Sequence, residues 1–263
     1  MRHQPRRGRH GDGWAVRVLR AGLRALSRAY FRLEAEGARR LPRQGGAIVA
    51  GNHPSVLDGI LLWAISPRPV RFLIAEDMYR HPLLSPLFRA LGGIEVSRTK
   101  THNGDALRSA VAALEEGQLL GIFPEGTIHD RGRMRQVKQG VALLAMKSGA
   151  PVIPFAIQGS REAFPDGARA PRPRPIRLRF GEPVVYPRAT AERIPEEEVA
   201  GVREDIRRRI VGVMDRGTAR IASRRVPGWL ERASIALAAS AIVPLGSLLT
   251  LTANPSLDPA AQR

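Results

Sequence analysis

The chain predicts an α/β fold, a single domain with a largely parallel central sheet flanked by helices. The first reason is an alternation of short apolar runs of strand length with segments of helical length. The second is that runs such as Leu119-Leu120-Gly121-Ile122-Phe123 are apolar throughout, as in strands covered on both faces. The third is size: 263 residues, 43% of them hydrophobic, bury one full core and leave little for another. The expected organisation is a basic N-terminal segment over 1–43 carrying an amphipathic helix, a catalytic domain over 44–222, and a hydrophobic C-terminal segment over 223–263.

From Trp14 to Leu33 the residues Leu19, Leu23, Leu26, Tyr30 and Leu33 recur at helical spacing and form one stripe. Arg20, Arg24, Arg28 and Arg32 fall on the other side. Such a helix suits a membrane interface, where headgroups attract the charges and the stripe enters the acyl boundary; packing on the domain core is the plainer alternative. Ala47 to Ala50 reads as a strand, Gly51-Asn52-His53-Pro54 as a tight turn and Leu57 to Ile65 as a helix. A second such unit follows: a strand over Arg71 to Ala75, a helix around Leu83 to Leu91, and a strand at Gly93 to Val96. Next come a helix over Asp105 to Glu116, the strand Leu119 to Phe123, a helix over Gly140 to Ser148 and the strand Val152 to Ile157. Pro-Arg repeats at 171–175 suggest an exposed loop. Ile176 to Phe180 and Val184 to Tyr186 suggest edge strands, and Pro195 to Arg220 a charged helix. Ala233 to Asn254 carries no charge but is interrupted by Pro244, so a span, a re-entrant or peripheral hairpin and packed helices all stay open.

Cysteine is absent, which excludes disulfides, thiolate metal sites and a cysteine nucleophile. The net charge of +18 calls for an anionic partner, and residues 1–43 hold 12 arginines against only Asp12, Glu34 and Glu36. Arg2 to His10 has no apolar run, so no cleaved leader is expected. A nucleic-acid partner is not expected, because aromatics make up 5% of the chain and no nucleic-acid-binding module is evident. An anionic membrane surface is.

Asn52-His53-Pro54-Ser55-Val56-Leu57-Asp58 sets a histidine and an aspartate five residues apart at a strand-to-helix turn. On a regular helix they would lie about 140° apart. With His53 in the turn and Asp58 in the first helical turn, however, the carboxylate can hold Nδ1–H and leave Nε2 to accept a proton. Imidazole ordinarily titrates near pH 6.5, which makes it a base at neutrality. Taken alone, the pair equally suits an aspartate acting at a helix N-terminus. Phe123-Pro124-Glu125-Gly126-Thr127 ends another strand, and the carboxyl ends of such strands are where ligands gather in open α/β sheets; alone it reads as an ordinary turn.

Together, in this order and roughly 70 residues apart, the two segments resemble the lysophospholipid acyltransferase family, which includes 1-acylglycerol-3-phosphate acyltransferase. Asn52, His53, Ser55 and Asp58 match its first motif, N-H-x-S-x-x-D. Gly93 to Arg98 looks like the second, residues 123–127 complete the third, F-P-E-G-T, and Val152-Ile153-Pro154-Phe155 resembles the fourth.

The resemblance implies His53 as the general base and Asp58 as its orienter, with Arg98, Glu125, Gly126 and Thr127 shaping an acceptor pocket. Arginine suits a phosphate, and glycine allows close approach of backbone N–H groups to an anion. Glu125 is assigned to an acceptor hydroxyl or to holding the loop. The implied reaction moves an acyl group from acyl-CoA or acyl-carrier protein to a hydroxyl of a lysophospholipid, with no cofactor and no metal, at the cytoplasmic face of the cell membrane. Ser55 lacks the nucleophile-elbow pattern, so no covalent intermediate is expected.

Some positions depart from the pattern of members acting on lysophosphatidate. Ile128 follows the third motif where arginine is frequent, Ala75-Glu76 stands where Lys-Glu is frequent, and Ser97 replaces a common Asp. A different lyso-lipid or a polyol acceptor is therefore an alternative. Lys138-Gln139-Gly140 resembles a family Lys-x-Gly but is read here as a helix N-terminus. His81, His102 and His129 lack metal-ligand spacing. Two further alternatives are a non-enzymatic basic protein and an inactive membrane scaffold; intact His53 and Asp58 disfavour the latter.

Overall fold

The computed structural model describes residues 13–82, 85–97, 103–128, 134, 136–191 and 193–215. The C-terminal segment expected over 223–263, His102 and His129 lie outside the described residues. The elements run α1 (Trp14–Phe31), β1 (Glu34–Glu36), a 3-10 turn (Ala38–Arg40), β2 (Ala47–Gly51), α2 (Leu57–Ile65), β3 (Val70–Ala75), α3 (Glu76–Tyr79), α4 (Ser85–Ala90) and β4 (Ile94–Val96). They continue with α5 (Asn103–Glu115), β5 (Leu119–Ile122), α6 (Gly140–Ser148), β6 (Val152–Gln158), α7 (Ser160–Ala163), β7 (Arg177–Phe180) and α8 (Glu196–Asp215).

Seven strands form one sheet in the order β1-β7-β6-β2-β5-β3-β4. The five strands from β6 to β4 are parallel, while β7 runs antiparallel to β6 and β1 pairs parallel to β7. This is the mixed α/β domain that the alternation predicts. At one margin the assignment changes. Ile176 to Phe180 is not an edge strand, because Glu34–Glu36 pairs with it from outside through Glu34↔Arg177 and Glu36↔Arg179. A three-residue strand with two carboxylates has no sequence signal of its own; ion pairs Glu34–Arg177 (2.8 Å) and Glu36–Arg179 (2.7 Å) hold it across the ladder. Val184 to Tyr186 contributes only a single bridge, Val152↔Val184.

Strand pleating sends alternate residues of β2 to opposite cores. Ile48 and Ala50 face α5, α6 and α8 through Ala110, Leu144, Ile206 and Ile210. Ala47 and Val49 face α1 and α2 through Phe31, Leu61, Leu62 and Ile65. The Pro-Arg loop is only half exposed, since Pro171 and Pro173 are buried and Tyr30 donates its hydroxyl hydrogen to Pro171 O at 2.7 Å.

Helix α1 forms as predicted but is turned differently. Arg20 and Arg24 point at the domain, and Leu19 and Leu26 of the apolar stripe point away, 54% and 46% exposed. The last carbonyls of α2 explain the rotation, because they have no partners within their helix. Arg24 Nε donates to Ala64 O (2.8 Å) and its Nη2 to Ile65 O (3.1 Å) and Ser66 O (2.9 Å), while Arg20 Nη2 donates to Ser66 O (3.0 Å). Arg20 also lies 5.9 Å from the ring centroid of Trp63. Two cations thus meet the negative end of the α2 dipole. Burial, with Arg28 nearby, lowers the pKa of Arg24 below the ordinary guanidinium value.

Replacing Arg24 with Met is expected to lower stability by about 1–3 kcal/mol in urea unfolding, because it strands carbonyls of α2. The same change at exposed Arg28 is expected to stay within about 0.5 kcal/mol. Equal effects at the two positions would contradict this account of the helix rotation.

Candidate active site

The carboxyl ends of the adjacent strands β2 and β5 carry the two segments singled out in the sequence. Parallel pairing of Ala50 with Ile122 brings the turn after β2 beside the turn after β5. The first turn is locked onto β6: Asn52 Nδ2 donates to Ile157 O (2.9 Å) and Ile157 N donates to Asn52 Oδ1 (2.8 Å). A buried amide here replaces the next rung of the ladder and leaves the chain free to turn. Gly51 precedes it because Phe155 fills the space of a side chain; a Cβ at Gly51 would stand 2.5 Å from Phe155 Cε1.

His53 and Asp58 are brought together. His53 Nδ1 lies 2.9 Å from Asp58 Oδ2, and the same oxygen accepts Ser55 N–H at 2.8 Å. Asp58 sits in the first turn of α2 and is fully buried, whereas the His53 side chain is 19% exposed. A carboxylate can only accept, so Nδ1 carries the proton and Nε2 is the basic nitrogen. The spacing of five is accommodated as expected, with the histidine ahead of the helix and the aspartate within it. Asp58 at the N-terminal end of α2 is also favourably placed against the helix dipole.

Above this pair lies the second turn. Phe123 stacks on the His53 ring with centroids 4.0 Å apart and planes 13° apart. Glu125 is buried, while Gly126 and Thr127 are exposed. Gly126 has φ +74°, and its N–H closes the turn onto Phe123 O at 3.0 Å. Its own amide is therefore engaged within the turn. The missing side chain instead makes room for Lys138, whose Nζ would stand 2.4 Å from a Cβ placed there.

Lys138 also donates its backbone N–H to Pro124 O at 2.8 Å, so it does more than approach α6. Arg98 lies outside the described residues; β4 ends at Val96, and Ser97 follows it. Among the described residues no group of three or more His, Asp or Glu side chains is arranged to hold a metal ion. The roles of Asn52, Phe123 and Lys138 were not legible as single residues, since each depends on a partner 12 to 105 positions away.

Residues 32–158 match the family model for acyltransferases. Over that stretch, just under half of its length, the chain is similar to the acyltransferase family. The chain is 26% identical over 149 residues to a 1-acyl-sn-glycerol-3-phosphate acyltransferase of Borreliella burgdorferi, covering 56% of this chain and 60% of that one. It is 29% identical over 163 residues to an uncharacterized protein of Mycobacterium tuberculosis, covering 56% of this chain and 43% of the relative, so the match spans less than half of that protein. Its fold is similar to the crystal structure of the 1-acyl-sn-glycerophosphate (LPA) acyltransferase PlsC from Thermotoga maritima, with a TM-score of 0.58 and 26% identity over 80% of this chain and 83% of that one.

Asn52→Ala removes both bonds to Ile157 and leaves buried backbone groups unmet. A stability loss of roughly 2–4 kcal/mol is expected in chemical denaturation; a loss below about 0.5 kcal/mol would show that the clamp is not what holds the turn.

Proposed function

We propose that the chain transfers an acyl group from an acyl thioester, acyl-CoA or acyl-carrier protein, to a hydroxyl of a lysophospholipid or related glycerolipid, with His53 as general base. The observation that carries this reading is the His53–Asp58 contact of 2.9 Å at the mouth of the β2 and β5 turns, within the stretch that matches the acyltransferase family model. Nε2 takes the acceptor hydroxyl proton as its oxygen bonds to the thioester carbon. The carbonyl electrons move onto oxygen, then return as the carbon–sulfur bond breaks, and the thiolate leaves with the proton from the imidazolium. Asp58 keeps Nδ1–H oriented and stabilises the transient imidazolium. The protein's own groups suffice for this sequence, so no cofactor or metal is assigned.

Arg98, Glu125, Gly126 and Thr127 are assigned to the acceptor pocket, Glu125 as the buried support of the loop. Lys138 adds a cation beside Gly126. The 1-acyl-sn-glycerol-3-phosphate named for the relatives favours a phosphate-bearing acceptor. A specific observation supports the alternative of a lyso-lipid or polyol without a phosphomonoester. At the carboxyl ends of β3 and β4, Arg80 is engaged by Glu76 (2.7 Å) and Glu95 (2.5 Å), and Ser97 Oγ donates to Glu76 at 3.1 Å. Arg80, though exposed, is thus partnered by the protein's own carboxylates, and the position of the frequent lysine is held by Ala75.

His53→Ala is expected to lower acyl transfer by about 10²–10⁴-fold, the usual contribution of a positioned base. The assay is transfer of labelled acyl-CoA to a panel of lyso-lipids and polyols; wild-type-like turnover in the variant would sink the assignment, and the preferred acceptor decides between the two readings.

The protein is further assigned to the cytoplasmic face of the membrane through the outer face of α1. That face exposes Trp14, Val18, Leu19 and Leu26, with Arg17 and Arg28 beside them. Such a surface offers apolar area to the acyl boundary and cations to anionic headgroups. Leu19→Asp combined with Leu26→Asp is expected to release the protein from anionic vesicles in co-sedimentation. Arg20 and Arg24 are poor probes of this surface because they hold α2. Undiminished vesicle binding by the double variant would remove α1 as the docking element.

A further inference from the structure

We infer that Phe123 is the positioning residue of the general base: its ring sets the plane of the His53 imidazole and hence the direction of Nε2. This rests on the acyl-transfer reading above and adds to it a second constraint on the base.

One in-plane hydrogen bond, from Nδ1 to Asp58, fixes the position of one ring edge but leaves the imidazole free to tilt about that edge. His53 lies in a turn outside any helix or strand, so its backbone is not held by a regular ladder on both sides. A face-to-face contact supplies the missing restraint. The centroid separation of 4.0 Å and angle of 13° put the phenyl flat against the imidazole, closing that face to water. The same face stabilises the positive charge that develops on the ring as it takes the acceptor proton.

Phe123 is itself braced from two strands. Its plane lies 3° from that of Phe72 on β3, with centroids 6.1 Å apart, and it meets Phe155 on β6 edge-on at 6.0 Å and 68°. Each brace lies in a notch made by a glycine. A Cβ at Gly121 would stand 2.4 Å from Phe72 Cε1, and one at Gly51 would stand 2.5 Å from Phe155 Cε1. The two glycines of β2 and β5 therefore admit the two rings that hold the third against the base.

The experiment compares full-length wild type, Phe123→Leu, Phe123→Tyr and Phe180→Leu in steady-state acyl transfer and in NMR of the histidine ring protons, with His53 assigned by His53→Gln. Phe180 lies tilted against Phe155, with centroids 5.9 Å apart, and is nearly as buried as that ring, so its replacement disturbs the same core without touching His53. Phe123→Leu is expected to lower kcat by roughly 10- to 100-fold with KM nearly unchanged, as a misaimed base does. Phe123→Tyr, which keeps the ring, restores most of kcat, and Phe180→Leu leaves it close to wild type. The ring current of Phe123 moves the His53 ring protons upfield in wild type, Phe123→Tyr and Phe180→Leu, and the shift disappears in Phe123→Leu. Wild-type kcat in Phe123→Leu, equal losses in Phe123→Leu and Phe180→Leu, or unmoved His53 resonances in Phe123→Leu would each overturn the inference. If wild type transfers no acyl group, the proposed reaction fails, while the resonances still decide whether the stack exists.

Discussion

A fully buried carboxylate organises this domain's site. Asp58 accepts from the His53 ring and from the backbone of Ser55 through one oxygen, so a single charge fixes both the side chain and the turn that carries it. A buried carboxylate without partners would be costly; here it is tied to two donors and lies at the positive end of a helix dipole. The turn has little freedom left once Asn52 has joined its other end to β6.

Helix α2 is the lever on which this depends. Its nine residues are apolar on nearly all sides, with Leu61, Leu62, Ala64 and Ile65 buried. Such a helix gains nothing from surface charge pairs and is held by its packing and its ends. Asp58 meets the N-terminal end, and Arg20 with Arg24 meets the C-terminal carbonyls from α1. The arrangement opposes charge to dipole at both termini. It also ties the N-terminal helix mechanically to the element bearing the aspartate, while the apolar outer face of α1 stays exposed.

Around the histidine the restraint is aromatic. Phe72 of β3 and Phe155 of β6 bracket Phe123, which follows β5 and stacks on the imidazole. Stacking is weak per pair, about 0.5–1.5 kcal/mol beyond burial, but it is directional, and here it sets the plane of the imidazole. The F-P-E-G-T turn thus serves two ends: Phe123 faces inward to the histidine, while Gly126 and Lys138 form the outer rim.

The sequence alone determined the α/β class, the parallel order of apolar runs and helices, and the pairing of His53 with Asp58. These follow from local spacing, because hydrophobic period sets element type and a turn followed by a helix brings residues five apart within reach. Only the tertiary structure decided the rest. Glu34–Glu36 has no strand signal and becomes the sheet edge because Arg177 and Arg179 lie across from it. Helical period placed Arg20 and Arg24 on a common face but could not say that this face would meet orphaned carbonyls 40 to 46 residues away. Phe123 looked like the end of a hydrophobic strand, and that its ring lies on His53 depends on the register of β2 against β5. A linear pattern records which face a residue occupies; what that face meets is set by the packing of distant segments, and in this chain that packing lays Phe123 on His53.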